Sequence, residues 1–202
     1  MVCVSREVQD NQNGFSLVEV SIVTAIMILL SIIGIPAIQG YVVENKVPQI
    51  AGELQRVISR LKVASIGLGA TPYAGLSNAL LANALRDSSI VSVTGQGAQA
   101  SISHGLGGSG QNGEGVISLT PQALGGPQGS AFELVLNNVN HAACPALASV
   151  LQRVASIVTV AGQSGAVEVK NSTVEPPRNY QPLLADAQCA RGDRNTFKFV
   201  IR

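Results

Sequence analysis

The sequence predicts an α+β protein in which a long N-terminal helix, first hydrophobic and then amphipathic, packs on an antiparallel β-sheet head. An apolar run near the N-terminus passes directly into a segment with helical periodicity. Further along, short runs that alternate imperfectly between apolar and polar residues are bounded by Gly, Pro, Asn and Ser, which is typical of strands. A helix followed by antiparallel strands with one inserted helix favours the α+β class.

The apolar run covers residues 15–38 and carries one formal charge, Glu19. As a helix it would be about 36 Å long, whereas the hydrocarbon core of a bilayer is about 30 Å thick. The apolar part of a secretory signal is shorter, roughly 7–15 residues, and follows a positive region. We therefore interpret the run as a transmembrane helix, and its simplest form is a permanent single-pass anchor.

The helical pattern continues over residues 39–69 but becomes polar on one side. Apolar residues recur there at offsets of three and four, at Ile50, Leu54, Val57, Ile58, Leu61 and Leu68. This stripe predicts an amphipathic helix whose apolar face is covered by a globular domain. Gly67, Gly69 and Pro72 are expected to end it.

The long helix contains residues that weaken it, namely Gly34, Pro36, Gly40 and Pro48. Proline inside a helix removes a backbone hydrogen bond and clashes with the preceding turn, at a cost of about 3 kcal/mol. We expect a bend or a loosened turn near Pro36.

Residues 70–202 are predicted to form the globular head. Two further helices are expected at residues 76–86 and 144–156, the second with Pro145 in its first turn. Strands are predicted at 89–94, 99–103, 116–120, 131–139, 158–162, 166–170 and 196–202. A proline-rich connection, residues 175–182, precedes the last strand, and the glycine-rich residues 104–115 form a loop between two strands.

Composition and motifs argue against an enzyme. The formal net charge is only +1, so the overall charge does not indicate binding to nucleic acid. The glycines of the 104–115 loop match G-x-G-x-x-G literally, but no helix follows as a dinucleotide site requires. His104 and His141 lack metal-ligand spacing and are interpreted as surface or loop histidines. Arg191-Gly192-Asp193 is interpreted as a plain turn, and no cofactor, metal or catalytic site is predicted.

Three cysteines are present, and two of them, Cys144 and Cys189, lie far beyond the apolar run. Such a pair suggests an exported domain with one disulfide. Two free buried thiols are the alternative that the residues leave open.

The stretch around Glu19 raises a chemical question, because a carboxylate is costly in a membrane. An interfacial Glu19 that snorkels to the lipid headgroups is one answer. Cleavage between Gly14 and Phe15 gives another, since it would create an α-amino group one helical turn before Glu19. A neighbouring chain, shifted along the helix axis, could also bring its amine close. An amine and a carboxylate buried together neutralise each other, and removing one partner costs several kcal/mol.

The arrangement Gly14, Phe15 and Glu19, followed by an apolar helix, resembles the processing site of type IV prepilins. The resemblance implies a leader peptide at residues 1–14, cleavage after Gly14 by a prepilin peptidase and N-methylation of Phe15. It also implies that Glu19 guides assembly by pairing with a neighbouring N-terminus. In that family the helix melts in the filament near a proline at the position of Pro36, which Gly34 and Gly40 flank here.

The head also resembles this family, although less specifically than the N-terminal motif. The pair Cys144 and Cys189 is similar to the C-terminal disulfide loop of pilins, here spanning 144–189. The helix start at Cys144 and the final strand after Cys189 look most like type IVb pilins, including the thin-pilus pilins of conjugative plasmids. Two features depart from that group: the short leader lacks basic character, and Phe15 as first mature residue is typical of type IVa pilins and pseudopilins.

The resemblance implies a structural subunit of a type IV pilus, a pilin fold and no enzymatic activity. The precursor would lie in the inner membrane of a Gram-negative bacterium, and the filament would be extracellular, serving adhesion, aggregation or mating contact. Implied partners are further copies of the chain, the peptidase, and the assembly platform with its ATPase. A type II secretion pseudopilin is the nearest alternative function. A single-pass membrane protein with a periplasmic binding domain is the second.

Overall fold

The computed structural model describes residues 16–202, including all side chains except those of residues 35–37. The proposed leader, Gly14 and Phe15 lie outside the described residues. The chain divides into two compact units after Gln39, and the second unit is Gly40–Arg202.

The first helix, α1, spans Leu17–Ala64. Ser16 precedes it, and the Ser16 hydroxyl accepts a hydrogen bond from the Val18 N–H at 3.4 Å, as an N-cap residue does. The helix ends four residues earlier than the apolar pattern suggested, because residues 65–67 form a turn in which Gly67 takes a positive φ of 86°. Only glycine adopts such a conformation without strain.

The head contains three more helices and one seven-stranded sheet. The helices are α2 (Asn78–Leu85), α3 (Cys144–Leu151) and α4 (Pro182–Gln188). The strands are β1 (Ser92–Thr94), β2 (Ser101–Ser103), β3 (Val116–Gln122), β4 (Ala131–Val139), β5 (Ile157–Ala161), β6 (Ala166–Asn171) and β7 (Asn195–Ile201). Every pairing is antiparallel, in the order β1-β2-β3-β4-β7-β5-β6. The predicted α+β class is confirmed.

The last strand holds the two halves of the sheet together. β7 lies between β4 and β5, so that Phe199 is opposite Leu134 on one side and Val158 on the other. Phe197 and Phe199 are fully buried, with ring centroids 6.1 Å apart. The apolar stripe of the second half of α1 packs into the same core through Val47, Ile50, Ala51, Leu54, Val57 and Ile58. The predicted amphipathic helix is therefore covered as expected.

One unpredicted helix and one shifted helix end distinguish the structure from the sequence prediction. The chain forms α4 where a connection was expected, with Pro182 in its first turn, where proline costs no hydrogen bond. α3 ends at Leu151 rather than at residue 156. The Lys170 ammonium, from β6, donates to the carbonyl oxygens of Gln152 (2.6 Å) and Ala155 (2.9 Å), so these groups are satisfied without further helical turns.

A disulfide joins Cys144, the first residue of α3, to Cys189, the residue after α4. Both residues are buried, and their Cα atoms are 5.9 Å apart. The bridge closes a loop with a sequence separation of 45 residues. In the chain-entropy description such a loop stabilises the fold by about 4 kcal/mol.

Asn195, at the start of β7, fixes the end of this disulfide loop. The fully buried Asn195 amide donates to the carbonyl oxygens of Val139 (3.0 Å) and Ala190 (2.9 Å), and it accepts from the Ala190 N–H (2.7 Å). A side chain at Gly162 would collide with the Asn195 amide oxygen and with the carbonyl of Gln188. The Asn195 amide and the lack of a side chain at Gly162 therefore help to fix residues 188–190 against the end of β5 and the start of β7.

His104 lies in the loop after β2, one of the two predicted locations, but it is fully buried and not at the surface. Its Nδ1 accepts from the Leu106 N–H (3.0 Å), and its Nε2 lies 2.7 Å from the carbonyl of Asn137. Nδ1 is therefore unprotonated and Nε2 carries the hydrogen. Burial lowers the pKa of His104, although the Asn137 carbonyl and the Asp193 carboxylate act in the opposite direction. His141 is exposed, as predicted.

Asp193 connects three segments around this histidine. Its carboxylate accepts from the Gly108 N–H (2.9 Å) and from the Asn140 amide (2.5 Å), and its carbonyl accepts from the Asn138 amide (3.1 Å). Residues 191–193 form a bend before β7, and the interpretation of Arg191-Gly192-Asp193 as a plain turn stays a prediction. The 104–115 segment is a loop between β2 and β3, also as predicted.

We predict that Asn195→Ala lowers the free energy of unfolding by about 3 kcal/mol, because it leaves buried backbone groups of Ala190 and Val139 without partners. Chemical denaturation of the full chain in detergent, followed by circular dichroism, measures this change. Asn179→Ala is the control, since Asn179 is exposed and the change should be within about 0.5 kcal/mol. Equal effects of the two substitutions would contradict the assigned role.

We also predict that stability decreases as the pH falls below 6.5, the ordinary pKa of histidine. The folded state favours neutral His104. Between pH 6.5 and the lowered pKa of His104 in the folded state, the unfolded state therefore binds more protons than the folded state. The slope contributed by this group reaches about 1.4 kcal/mol per pH unit. Unfolding measured across that window should show the slope in the native chain and in exposed-site His141→Gln, but lose it in His104→Gln. A slope unchanged by His104→Gln would contradict the prediction.

Candidate assembly surface on the N-terminal helix

The first part of α1, Leu17–Ile33, exposes its apolar side chains on all sides. Leu17 is 89% exposed and Ile33 is 72% exposed, and no residue of the most apolar 18-residue window is buried. Within residues 16–202, α1 is the one helix whose length and composition would allow it to cross a membrane. A core helix of a soluble domain would be covered, so this surface requires lipid or another protein.

Three hydroxyl side chains interrupt this surface without leaving free donors. Ser21, Thr24 and Ser31 each donate to the carbonyl four residues earlier, at 2.7 Å. These bonds satisfy the hydroxyl donors within the helix itself. Sequence reasoning missed this feature, although the signal is simple: Ser or Thr inside an apolar helix has the carbonyl of residue i−4 within reach.

Glu19 is the exception on this surface. It is exposed, and its carboxylate forms no hydrogen bond or ion pair with any residue in the range 16–202. No formally charged residue lies between it and Glu44. Any cation that neutralises Glu19 must therefore come from residues before Ser16 or from another molecule.

The spacing Ser16-x-x-Glu19 gives Glu19 a second conceivable role. Ser16 is the N-cap and Glu19 occupies the third helical position, which is the pattern of a capping box. The Ser16 hydroxyl accepts from the Val18 N–H and not from the Glu19 N–H as in a capping box, and the Glu19 side chain forms no bond to the Ser16 N–H. A carboxylate at this position also stabilises the helix through its attraction to the partial positive charge at the helix N-terminus. Charge pairing and capping can be separated by substitution, since glutamine also serves in a capping box.

Three of the four residues predicted to weaken the helix, Gly34, Pro36 and Gly40, lie close together in the chain. α1 is continuous through Gly34, Pro36 and Gly40 in this single chain. A Cβ at Gly34 would meet nothing within 4 Å, so no packing requirement explains that glycine. A Cβ at Gly40 would lie 3.9 Å from the Ala142 Cβ, an ordinary contact with the head. Loosening of this segment in a filament stays a prediction.

Among residues 16–202, no cluster of three or more His, Cys, Asp or Glu side chains is arranged to hold a metal ion. The exposed apolar side chains of the head include Leu183, on α4 inside the disulfide loop, at 85% exposure. The sequence prediction missed this surface because it missed α4.

The family model described as PilS N terminal matches residues 46–202. A comparison with curated protein sequences gives no significant match.

The structure is similar to two solved pilins. One is the type IVb pilin from Salmonella typhi, with a TM-score of 0.42 and 19% identity, covering 69% of this chain and 91% of that chain. The other is TcpA, a type IV pilin from Vibrio cholerae El Tor biotype, with a TM-score of 0.46 and 11% identity, covering 79% of this chain and 99% of that chain.

The family match includes the second half of α1 and the entire head, and it spans more than half of the chain. Subunits of this kind are structural proteins and not enzymes, in agreement with the sequence prediction. The chain therefore belongs to the PilS family and is a type IV pilin.

Proposed function

We propose that the chain is a prepilin that is cleaved after Gly14 and then polymerises through its N-terminal helix into an extracellular filament. The observation that carries the proposal is the uncovered apolar helix Leu17–Ile33 with one carboxylate that lacks a partner within residues 16–202. Lipid satisfies the apolar surface of a single chain. Neighbouring helices satisfy it in a filament, where a second chain can also bring a cation to Glu19.

The cation is the α-amino group of Phe15, created by cleavage and methylated afterwards. Methylation of an amine retains its positive charge, so the ion pair with Glu19 remains possible. Residue 15 precedes Glu19 by one helical turn, and an adjacent subunit displaced along the filament axis presents the same amine to Glu19. The leader is residues 1–14, residues 15–38 form the transmembrane and later filament-core helix, residues 39–69 continue it, and residues 70–202 form the outward head.

The precursor lies in the inner membrane of a Gram-negative bacterium, where the prepilin peptidase removes the leader. An assembly platform driven by an ATPase then extracts the mature chain into the growing filament. Gly34, Pro36 and Gly40 allow the helix to loosen as subunits pack. The heads, each stabilised by the Cys144–Cys189 loop, form the outer surface through which the filament serves adhesion, aggregation or mating contact.

We predict that cells with a prepilin peptidase contain a membrane-extracted chain that begins at Phe15, with or without one added methyl group. Peptide mass spectrometry of the N-terminus checks this, and cells without the peptidase should retain Met1. Gly14→Ser should block cleavage, because the peptidase acts after glycine. An N-terminus at Met1 in both strains would instead favour a permanent single-pass anchor.

We predict that Glu19→Gln is processed normally but reduces filament yield at least tenfold, since an unpaired amine buried in an interface costs about 3–5 kcal/mol. Filaments sheared from a strain without the native copy give the measurement, with the total amount of mature chain as reference. Glutamine preserves the capping-box pattern, so loss of assembly in this variant identifies charge pairing.

Glu44→Gln is the matched control, because Glu44 is an exposed carboxylate on the same helix. It should assemble normally. A normal yield from Glu19→Gln together with a low yield from Glu19→Ala would show that capping, and not charge pairing, is the function of Glu19.

A further inference from the structure

We infer that Asn112 is a site of spontaneous covalent modification, at which the side-chain amide is converted to aspartate or isoaspartate through a succinimide. The inference concerns the loop between β2 and β3 and does not depend on the proposed assembly mechanism. Four observations carry it: the Asn-Gly sequence, the exposure of the turn, the absence of restraints on the reacting atoms, and the restraints on the other asparagines of the neighbouring network.

Asn112 and Gly113 are the two central residues of an exposed turn. The Glu114 N–H donates to the Gln111 carbonyl at 2.9 Å, which closes the turn. Both central residues have positive φ, 52° at Asn112 and 82° at Gly113, as in a type I′ turn, for which Asn-Gly is the preferred pair. The same pair has the least hindered backbone nitrogen for attack on an asparagine side chain, since glycine carries no Cβ.

The reacting atoms are free of competing contacts. Neither the Asn112 amide nor the Gly113 N–H forms a hydrogen bond with any residue in the described range 16–202. A Cβ built on Gly113 would meet nothing within 4 Å, so the space around the nitrogen is open. The loop can therefore rotate the Asn112 side chain toward the Gly113 nitrogen without displacing packed atoms.

The asparagines around His104 and Asp193 differ in this respect. The amides of Asn137, Asn138, Asn140 and Asn195 are all held by hydrogen bonds to backbone or side-chain groups. None of these residues precedes glycine. The reaction is therefore expected at Asn112 and not at these positions.

The chemistry needs only water. The Gly113 nitrogen loses its proton to solvent and attacks the Asn112 side-chain carbonyl carbon, forming a C–N bond. The C–N bond to the side-chain nitrogen breaks, and that nitrogen leaves as ammonia after taking a proton from water. Water then opens the five-membered ring at either carbonyl, which gives aspartate or isoaspartate. The net change is the replacement of an amide by a carboxylate with release of ammonia.

Either product adds a negative charge beside Glu114, whose carboxylate accepts from the Ser109 hydroxyl at 3.2 Å. Isoaspartate also adds one carbon to the main chain. Two hydrogen bonds hold the loop. The Asn137 amide donates to the Gly113 carbonyl within the turn, and the Gly108 N–H before the turn donates to the Asp193 carboxylate. The longer backbone must therefore be accommodated between fixed points, which disrupts the Gln111–Glu114 turn.

The test is to incubate the full chain, folded in detergent, in mildly alkaline buffer and to follow it by peptide mass spectrometry. Trypsin and a Glu-specific protease release residues 87–114, in which Asn112 is the one asparagine. After reduction of the Cys144–Cys189 disulfide, cleavage after Arg178 and Arg191 releases residues 179–191, which contain exposed Asn179 before tyrosine as an internal control. We expect the mass change of amide-to-acid conversion to accumulate at least an order of magnitude faster in 87–114.

The variant Asn112→Gln retains an amide, but its longer side chain must close a six-membered ring, so its conversion should fall to the rate of the Asn179 peptide. Isoaspartate at position 112, identified by fragmentation, establishes the succinimide route. Equal rates in the two native peptides, or conversion in 87–114 that is unchanged by Asn112→Gln, would overturn the inference.

Discussion

The constraint on which the rest of this molecule depends is the uncovered apolar surface of Leu17–Ile33. Burying one large aliphatic side chain contributes about 1.5–3 kcal/mol, and this segment carries many of them. A chain with such a segment cannot remain dispersed in water. It must lie in lipid or against other apolar helices, and under the proposed function it does each in turn.

Under the proposed function, the head must remain folded when that segment passes from lipid to contacts with other helices. Its own core runs from Val47 through the sheet to Ile201, and the apolar stripe of α1 within Gly40–Arg202 belongs to it. The Cys144–Cys189 bridge and the Asn195 amide hold the C-terminal loop against the strands. β7 gives the sheet its continuity, so the C-terminal residues are structurally central although they are last in the chain.

The parts of the fold that could be predicted are those that the residue pattern within a single strand or helix determines. The alternation of TFKFVIR and AFELVLNNV reflects one buried face of a sheet, and the stripe from Ile50 to Leu61 reflects one buried face of a helix. The N-terminal motif around Glu19 suggested a prepilin because the chemistry proposed for it requires particular residues at fixed positions. The family match over 46–202 lies entirely outside that motif, so it supports the assignment independently.

The features that could not be predicted arise from contacts between distant residues. The burial of His104 depends on the carbonyl of Asn137, and the end of α3 depends on Lys170, which belongs to another element. α4 is short and begins with Pro182, which looks like a helix-breaking residue unless it is known to occupy the first turn. The hydrogen bonds of the Asn195 amide could not be predicted from the sequence, because a single asparagine before a strand is also a common turn residue.

The hydroxyl bonds of Ser21, Thr24 and Ser31 have a consequence for the thermodynamics of transfer. Since each hydroxyl donates within its own helix, moving Leu17–Ile33 from lipid to a protein interior exchanges one apolar contact surface for another and requires no hydrogen bond to be broken. Lipid tails are as apolar as leucine, so the hydrophobic effect gives little preference between the two states. Under the proposed function, the balance between subunits in the membrane and subunits in the filament then depends mainly on packing and on the solvation of Glu19, so the same segment can move in either direction.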